Sequence, residues 1–357
     1  MNIKDNTGKL YYVGGCVRDE ILGIPSLDFD ICFEGDAIDY VKSQNFKIIK
    51  TQEDIRTARV LLDDEEIDFA STRKEIYPKQ GHLPVTTEIG CTLKEDLIRR
   101  DFTINSIAKS VKTGQIFDPT GGLDDIKLKQ LRVHHENSFK DDPTRILRAL
   151  KFSLRFGFNL EENTKKLQEE YLANVNPDMS YSRLKKELID TFNLNLDEAL
   201  ERLINEKIYK LLTPELPTAK PSNIEGLVKE FNIQAPWIIY LGWLDLSKLD
   251  LTKEEKKVLE DFERLKNINP TDDFEVYKNC KKSDIKAIVL WIAMGSKAGL
   301  KYLRELQHVK IECNGEDLIK LGLNGKEIGE ALDKILQAKL KTPNLTKNEE
   351  LNIVKFR

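Results

Sequence analysis

Apolar positions change their spacing near residue 140. Before it they come in short runs. Leu10-Tyr11-Tyr12-Val13 predicts a strand entering a turn at Gly14-Gly15, and 17–22 predicts a short helix stopped by Gly23 and Pro25. Residues 29–33 read as a strand and 36–44 as a helix. Runs at 60–62 and 67–70 flank an acidic turn and predict a hairpin. A helix is expected over 95–110, then a short strand at 115–117 before Asp118-Pro119. This mixture predicts a small α+β domain over residues 1–135. From Asp142 onward the spacing becomes helical and stays so: Ile146, Leu147, Leu150, Leu154 and Phe158, then Leu184, Leu188 and Phe192, then Leu200, Leu203, Ile204 and Ile208. Breaks at 214–217 and at Asn269-Pro270 divide this part into segments 136–213, 214–270 and 271–357.

Composition narrows the class. A chain of 357 residues, 40% hydrophobic and 32% charged, has the profile of a soluble globular protein of two to four compact units. The net charge of -4 means that any basic surface for a nucleic acid is local. Five scattered cysteines without a CxxC pair indicate neither a zinc site nor a disulfide framework, and reduced thiols in a cytoplasmic protein are expected. There is no apolar signal core at the amino end and no apolar run long enough to span a bilayer, so no membrane partner is expected. Nothing in the pattern sets an oligomeric state.

The sharpest chemical signal is Gly14-Gly15-Cys16-Val17-Arg18-Asp19 followed by Leu27-Asp28-Phe29-Asp30-Ile31. On a strand, Asp28 and Asp30 share a face. Clustered carboxylates are costly without a cation between them, and a Mg²⁺ site that leaves room for substrate phosphates needs only one or two. A glycine turn opening a helix exposes backbone N–H groups to phosphate. Together these predict a metal-dependent site for a nucleoside triphosphate. Asp68 either completes the acidic cluster or takes a hydroxyl proton, or else faces solvent on an edge strand.

Two further groups fit the same chemistry. Arg99 and Arg100 offer guanidinium forks for phosphate. Asp101 and Asn105, spaced i, i+4, are placed to hold a ribose hydroxyl or a phosphate, or form a salt-bridged helix surface. Asp142 before Pro143 is a good helix cap, yet Asp142 and Arg145 also stand i, i+3. A carboxylate accepts from an exocyclic amine while a guanidinium donates to a ring acceptor. Such a pair accepts cytosine and adenine and repels uracil and guanine. Arg148, Lys151 and Arg155 continue a basic face that meets a triphosphate or RNA, or is merely solvated. The histidines show no metal spacing.

In order, the segments YYVGGCVRDEILG with LDFDI, DFASTR, EDLIRRDFTINSIA, FDPTGGLDDIKLKQLRVH and FKDDPTRILRALKFSLRFGF resemble the class II tRNA nucleotidyltransferase (CCA-adding enzyme) and bacterial poly(A) polymerase family. NGEDLIKLGLNGKEIGEAL near the end resembles the family's C-terminal segment. The resemblance implies a nucleotidyltransferase head, small and mixed α+β, followed by an all-α neck, body and tail. It implies two Mg²⁺ ions on Asp28 and Asp30, with Gly14, Gly15 and Arg18 at the triphosphate. It places Arg99, Arg100, Asp101 and Asn105 at ribose and phosphates, and Asp142 and Arg145 at the incoming base. Asp141 stands where the family usually has Glu. The implied reaction is template-independent addition of CCA to the 3′ end of tRNA from CTP and ATP, with pyrophosphate released and the helical regions gripping the acceptor arm and elbow. A loop within 71–93 helps switch the pocket from C to A in this family, so CC-only or A-only addition, and poly(A) synthesis, stay open alternatives.

Overall fold

The computed structural model describes residues 3, 5–26 and 29–355. It is α+β: a mixed sheet with flanking helices near the amino end, then a largely helical remainder. The chain divides into two compact units, one of residues 1–191 with 201–211 and one of 192–200 with 212–357.

The first unit is built on a seven-stranded sheet. Its strands are β1 (Leu10–Val13), β2 (Asp30–Phe33), β3 (Lys47–Gln52), β4 (Thr57–Leu62) and β5 (Glu65–Ser71), together with two short strands, Ala108–Ser110 and Ile116–Phe117, at one edge. Across the sheet the order runs β3-β4-β5-β2-β1 and then the two edge strands. Alternation along each strand sorts the core into two layers. Leu10, Ile31, Val60, Ile67 and Phe69 pack with Ile38 and Val41 of the helix Ala37–Ser43, while Tyr11, Val13, Cys32 and Ala108 pack with Leu93 and Leu97 of the helix Leu93–Ile98 on the other side. Asp30 lies two residues before Cys32, so it belongs to the second face. Asp63 and Asp64, both at positive φ, make the tight β4–β5 turn expected from the acidic pair.

Three elements depart from the sequence expectation. The helix expected over 95–110 ends at Ile98, followed by a 3₁₀ turn, Thr103–Asn105, and the edge strand. Phe102 is the cause: it is fully buried and forms a β-bridge with Val133, which pulls the backbone out of the helix. Strand β3 was not anticipated. Its pattern of intermediate and exposed residues suits a sheet edge and gives little periodic signal. The segment after Ser71 forms a separate antiparallel ribbon of β6 (Arg73–Ile76) and β7 (Val85–Ile89), where a loop was expected.

Helix α1 (Gly15–Leu22) follows β1 directly and stops at Gly23, whose φ of 70° supplies the left-handed cap. Farther on, helices Ser138–Asp141, Thr144–Phe156, Glu162–Ala173 and Tyr181–Phe192 follow in order. The second unit is helical. Its centre is Ile285–Ala293, seven of whose nine residues are buried, as an all-round apolar helix requires. Among the described residues no helix is long and apolar enough to cross a membrane.

Candidate active site

Gly14 joins β1 to α1 at φ 71° and ψ -131°. A Cβ there would lie 2.9 Å from Arg100 Nη1 and 4.0 Å from Asp30 Oδ2, so the glycine lets backbone, guanidinium and carboxylate converge. Gly14, Gly15, Arg18 and Asp30 line one side of a cavity of about 450 Å³. Arg99, Arg100, Asp101, Asn105, Asp142, Arg145 and Arg148 line it too. The structure thus gathers residues scattered over more than 130 positions of sequence into one cavity within the first unit.

A continuous polar chain runs along its wall. Arg18 Nη1 donates to Asn105 Oδ1 at 2.6 Å, Asn105 Nδ2 to Asp101 Oδ1 at 2.9 Å, and Arg148 Nε to Asp101 Oδ2 at 2.7 Å. Arg148 Nη1 also reaches Glu187 at 3.1 Å. The Asp101–Asn105 contact is the one expected from spacing, made across a 3₁₀ turn in place of an α-helix. Burial opposes the charge on Asp101, but Arg148, Asn105 and Arg145 outweigh it and hold its carboxyl well below the usual range. Arg18 lies over two aromatic faces, 5.2 Å from the Phe152 ring centre and 4.6 Å from that of Phe156. Asp96, 1% exposed, receives Arg99 and Arg100. Arg100 keeps its charge despite burial because Asp96 stabilises it, and its Nε has no partner.

Asp142 and Arg145 are 5% and 3% exposed; the Arg145 N–H donates to the Asp142 carbonyl at 3.1 Å, while the two side chains are held by other partners. Asp142 Oδ1 accepts from the Thr144 backbone at 3.1 Å and its hydroxyl at 2.6 Å, so the capping role is real. Asp142 Oδ2 pairs with Arg183 at 2.5 Å. Arg145 is held by neutral groups: Ser138 Oγ at 3.1 Å, and the Tyr77 hydroxyl and Arg99 carbonyl at 3.4 Å each. Cap and cavity wall are therefore one feature, and the two meanings of Asp142 do not compete.

Other expected residues fall elsewhere. Asp28 lies outside the described residues, and β2 begins only at Asp30. Asp68 pairs in register with Asp30 on the neighbouring parallel strand. Strand β5 sits inside the sheet, so the edge-strand alternative does not hold. Both Asp68 oxygens accept from Arg59 at 2.7 Å, and Asp68 is not among the residues lining the cavity. Lys151 neither lines the cavity nor is freely solvated; it is 12% exposed and bound to Glu187 at 2.7 Å and Asp190 at 3.2 Å. Arg155 lies over the Phe156 ring at 5.1 Å.

Sequence reasoning missed Arg183, Glu187 and Glu75, which also line the cavity. Arg183 and Glu187 are i, i+4 opposite charges, a pattern shared by countless solvated helices. Only the fold shows that they face Asp142 and Arg148. His134, beneath this wall, contacts Ser106 Oγ at 2.7 Å, and burial pushes it down to about 4. Among the described residues no cluster of three or more His, Cys, Asp or Glu could hold a metal ion. Among the described residues, Asp30 is the exposed cavity carboxylate on the glycine side, which fits a cation shared with substrate phosphates.

Comparison with known proteins adds independent findings. Residues 10–132 match the model of the poly A polymerase head domain. A solved CCA-adding enzyme in an apo form is 30% identical, covers 97% of this chain, is itself covered over 91%, and superposes with a TM-score of 0.82. The chain belongs to the class II tRNA nucleotidyltransferase family. A second member, the Thermotoga maritima CCA-adding enzyme solved with tRNA, is 27% identical with a TM-score of 0.74, over 97% of this chain and 90% of that one. The A-adding tRNA nucleotidyltransferase of Aquifex aeolicus is 33% identical over 92% of this chain but only 44% of its own length. That of Halalkalibacterium halodurans is 29% identical over 88% of this chain and 80% of its own length. The chain therefore spans less than half of the Aquifex relative and most of the other.

Proposed function

We propose that this chain transfers a nucleotide from ATP or CTP to the 3′ end of tRNA and releases pyrophosphate. The observation that carries the proposal is the cavity itself. It places a glycine turn, a carboxylate, seven arginines and the Asp142–Arg145 pair around a space of about 450 Å³. Seven arginines against five carboxylates suit a triphosphate. Arg18 and Arg100 would bind phosphate oxygens, and Asp101 with Asn105 would bind the ribose. Arg145, whose partners are neutral, has charge to give a ring acceptor, and Asp142 Oδ2 would accept the exocyclic amine. Cytosine and adenine satisfy both; uracil and guanine would set donor against donor.

Asp30, with Asp28 by the sequence expectation, would hold Mg²⁺, which when bound supplies positive charge to the phosphates. In the transfer, the RNA 3′-hydroxyl gives its proton to water as its oxygen forms a bond to the α-phosphorus, the bond from that phosphorus to the bridging oxygen breaks, and pyrophosphate leaves with the electrons. The protein orients the two reactants and fixes the charges around them. Asp68, bound by Arg59, is assigned no direct part.

Relatives divide over the nucleotide repertoire. Those named A-adding align over 88% to 96% of this chain, which supports terminal A addition. Solved CCA-adding enzymes, one with ATP and one with CTP, align over 96% and 97% and support full CCA addition. We favour A addition to a tRNA already ending in CC. The test is incubation with tRNAs lacking A, CA or CCA, each with ATP or CTP alone, followed by sequencing of the 3′ ends. A single A on the CC-ended tRNA with no use of CTP supports this choice. C incorporation establishes CCA or CC addition, long A tails a poly(A) polymerase, and no extension of any RNA overturns the proposal.

A further inference from the structure

A second cavity, of about 460 Å³, lies elsewhere in the first unit and differs in chemistry from the first. Its inner wall is apolar and aromatic, made by Phe139, Leu167 and Tyr171 from the helices Ser138–Asp141 and Glu162–Ala173. Tyr171 is 7% exposed; its hydroxyl lies near the Asn176 backbone yet has no hydrogen-bond partner. A buried hydroxyl without a partner is destabilising unless something bound completes it. Burial pushes the phenol up to about 12, so it keeps its proton at neutral pH and can donate.

The rim carries exposed amides, Gln80, Asn137 and Asn174. An amide sets a donor beside an acceptor, the pattern that matches the edge of a base, and the aromatic and aliphatic wall suits a flat ring. The charges are two carboxylates, Glu136 and Glu170, and one ammonium, Lys140. That balance disfavours phosphate.

We propose that this cavity binds an uncharged nucleobase, with the Tyr171 hydroxyl and the Asn137 and Asn174 amides on its polar edge. The base is carried by a free nucleoside or by an unpaired nucleotide of an RNA. Its effect on transfer rests on the function proposed above; its binding does not. The two cavities are lined by neighbouring residues of the same segments. Asn137 and Lys140 line the second and Asp142 the first, while on the ribbon side Gln80 lines the second and Tyr77 and Leu83 the first. Between them the Gly81 N–H donates to the Asp141 carbonyl at 3.0 Å, and the Ser180 N–H to the Gly81 carbonyl at 2.9 Å. An occupant therefore touches the segment that presents Asp142.

The test is calorimetric titration of adenosine and of cytidine into the full chain already saturated with ATP and Mg²⁺, which fills the first cavity. Binding is expected, weakened about fivefold or more by Tyr171→Phe and by Asn174→Ala, with ATP affinity unchanged. If both variants also raise KM for tRNA, the base comes from RNA; if KM is unmoved, a free nucleoside is the ligand. Absence of nucleoside binding, or binding that both variants leave intact, overturns the proposal. If ATP itself does not bind, the reading of the first cavity fails instead, and titration of the ATP-free chain and its Tyr171→Phe variant still reports on the second.

Discussion

Two cavities of nearly equal size, lined in part by the same segments of the first unit, are built on opposite principles. In the first, buried charges are matched to one another: Arg18 to Asp19, Arg100 to Asp96, Arg148 to Asp101 and Glu187. In the second, a neutral buried hydroxyl has no partner and the polar groups at the rim are mostly amides. A site for a polyanion must hold its arginines in place before the ligand arrives, or their mutual repulsion would disperse them; internal carboxylates do this. A site for a neutral ring needs no such scaffold. Charge pairing inside a cavity thus separates a phosphate site from a base site of the same volume.

The largest expected effect breaks the first cavity alone. Asp30→Ala removes its exposed carboxylate on the glycine side and should cut nucleotide transfer by about 10³-fold or more, with melting temperature nearly unchanged. Near-normal turnover in the variant would remove the acidic edge from the mechanism. Arg148→Ala comes next. It leaves Asp101 buried without its main partner and should cost roughly 3–5 kcal/mol of stability, read by denaturant titration. Asp101 is depressed in the fold, so the pair stabilises above the unfolded carboxyl pKa of about 3.9 and the contribution is lost as pH falls below it. The loss in the variant should therefore be full at neutral pH and shrink in acid.

His134 gives a dependence of the same sign in a higher pH window. Its folded pKa is about 4 against an ordinary 6.5, so between those values the unfolded chain takes up a proton that the fold refuses. Stability should fall on acidification through that window by up to about 3 kcal/mol, and His134→Gln should flatten the slope. An unchanged slope would show that another group is responsible. Arg145→Ala sharpens the comparison, since it removes a base-reading cation without touching the second cavity. It should lower discrimination of ATP and CTP over UTP and GTP by about 1–3 kcal/mol, measured as ratios of kcat/KM. Unchanged ratios would move base reading elsewhere. The smallest effect concerns the segment between the cavities. Gly81 has φ 78°, and a Cβ there would meet the Asp178 carbonyl at 2.9 Å. Gly81→Ala should destabilise by about 1–2 kcal/mol and disturb both cavities together.

Much of the first cavity was legible because its residues sit in local motifs: Gly14-Gly15 before a helix, Asp30 on a strand start, Asp142-Pro143 at a helix start with Arg145 one turn on. Each has a short-range signature. The alternation in β1, β2 and β5 likewise placed the core. What was hidden depends on contacts distant in sequence. Arg183 and Glu187 look like ordinary helix-surface charges until the fold sets them against Asp142 and Arg148. The ribbon of β6 and β7 was hidden by its prolines and charges, which read as loop. Phe102 carried no hint that a β-bridge with Val133 would end the expected helix. The second cavity had no signature at all, because its residues come from three segments whose amides and carboxylates are common on any surface.

The most direct measurement is a crystal structure with Mg²⁺ and a nonhydrolysable ATP analogue. The prediction is an adenine edge between Asp142 and Arg145, phosphate oxygens on Arg18 and Arg100, and a cation on Asp30. A nucleotide bound elsewhere, or bound there with its base away from Asp142 and Arg145 and no cation near Asp30, would contradict the assignment of the arginine-lined cavity as the site of transfer.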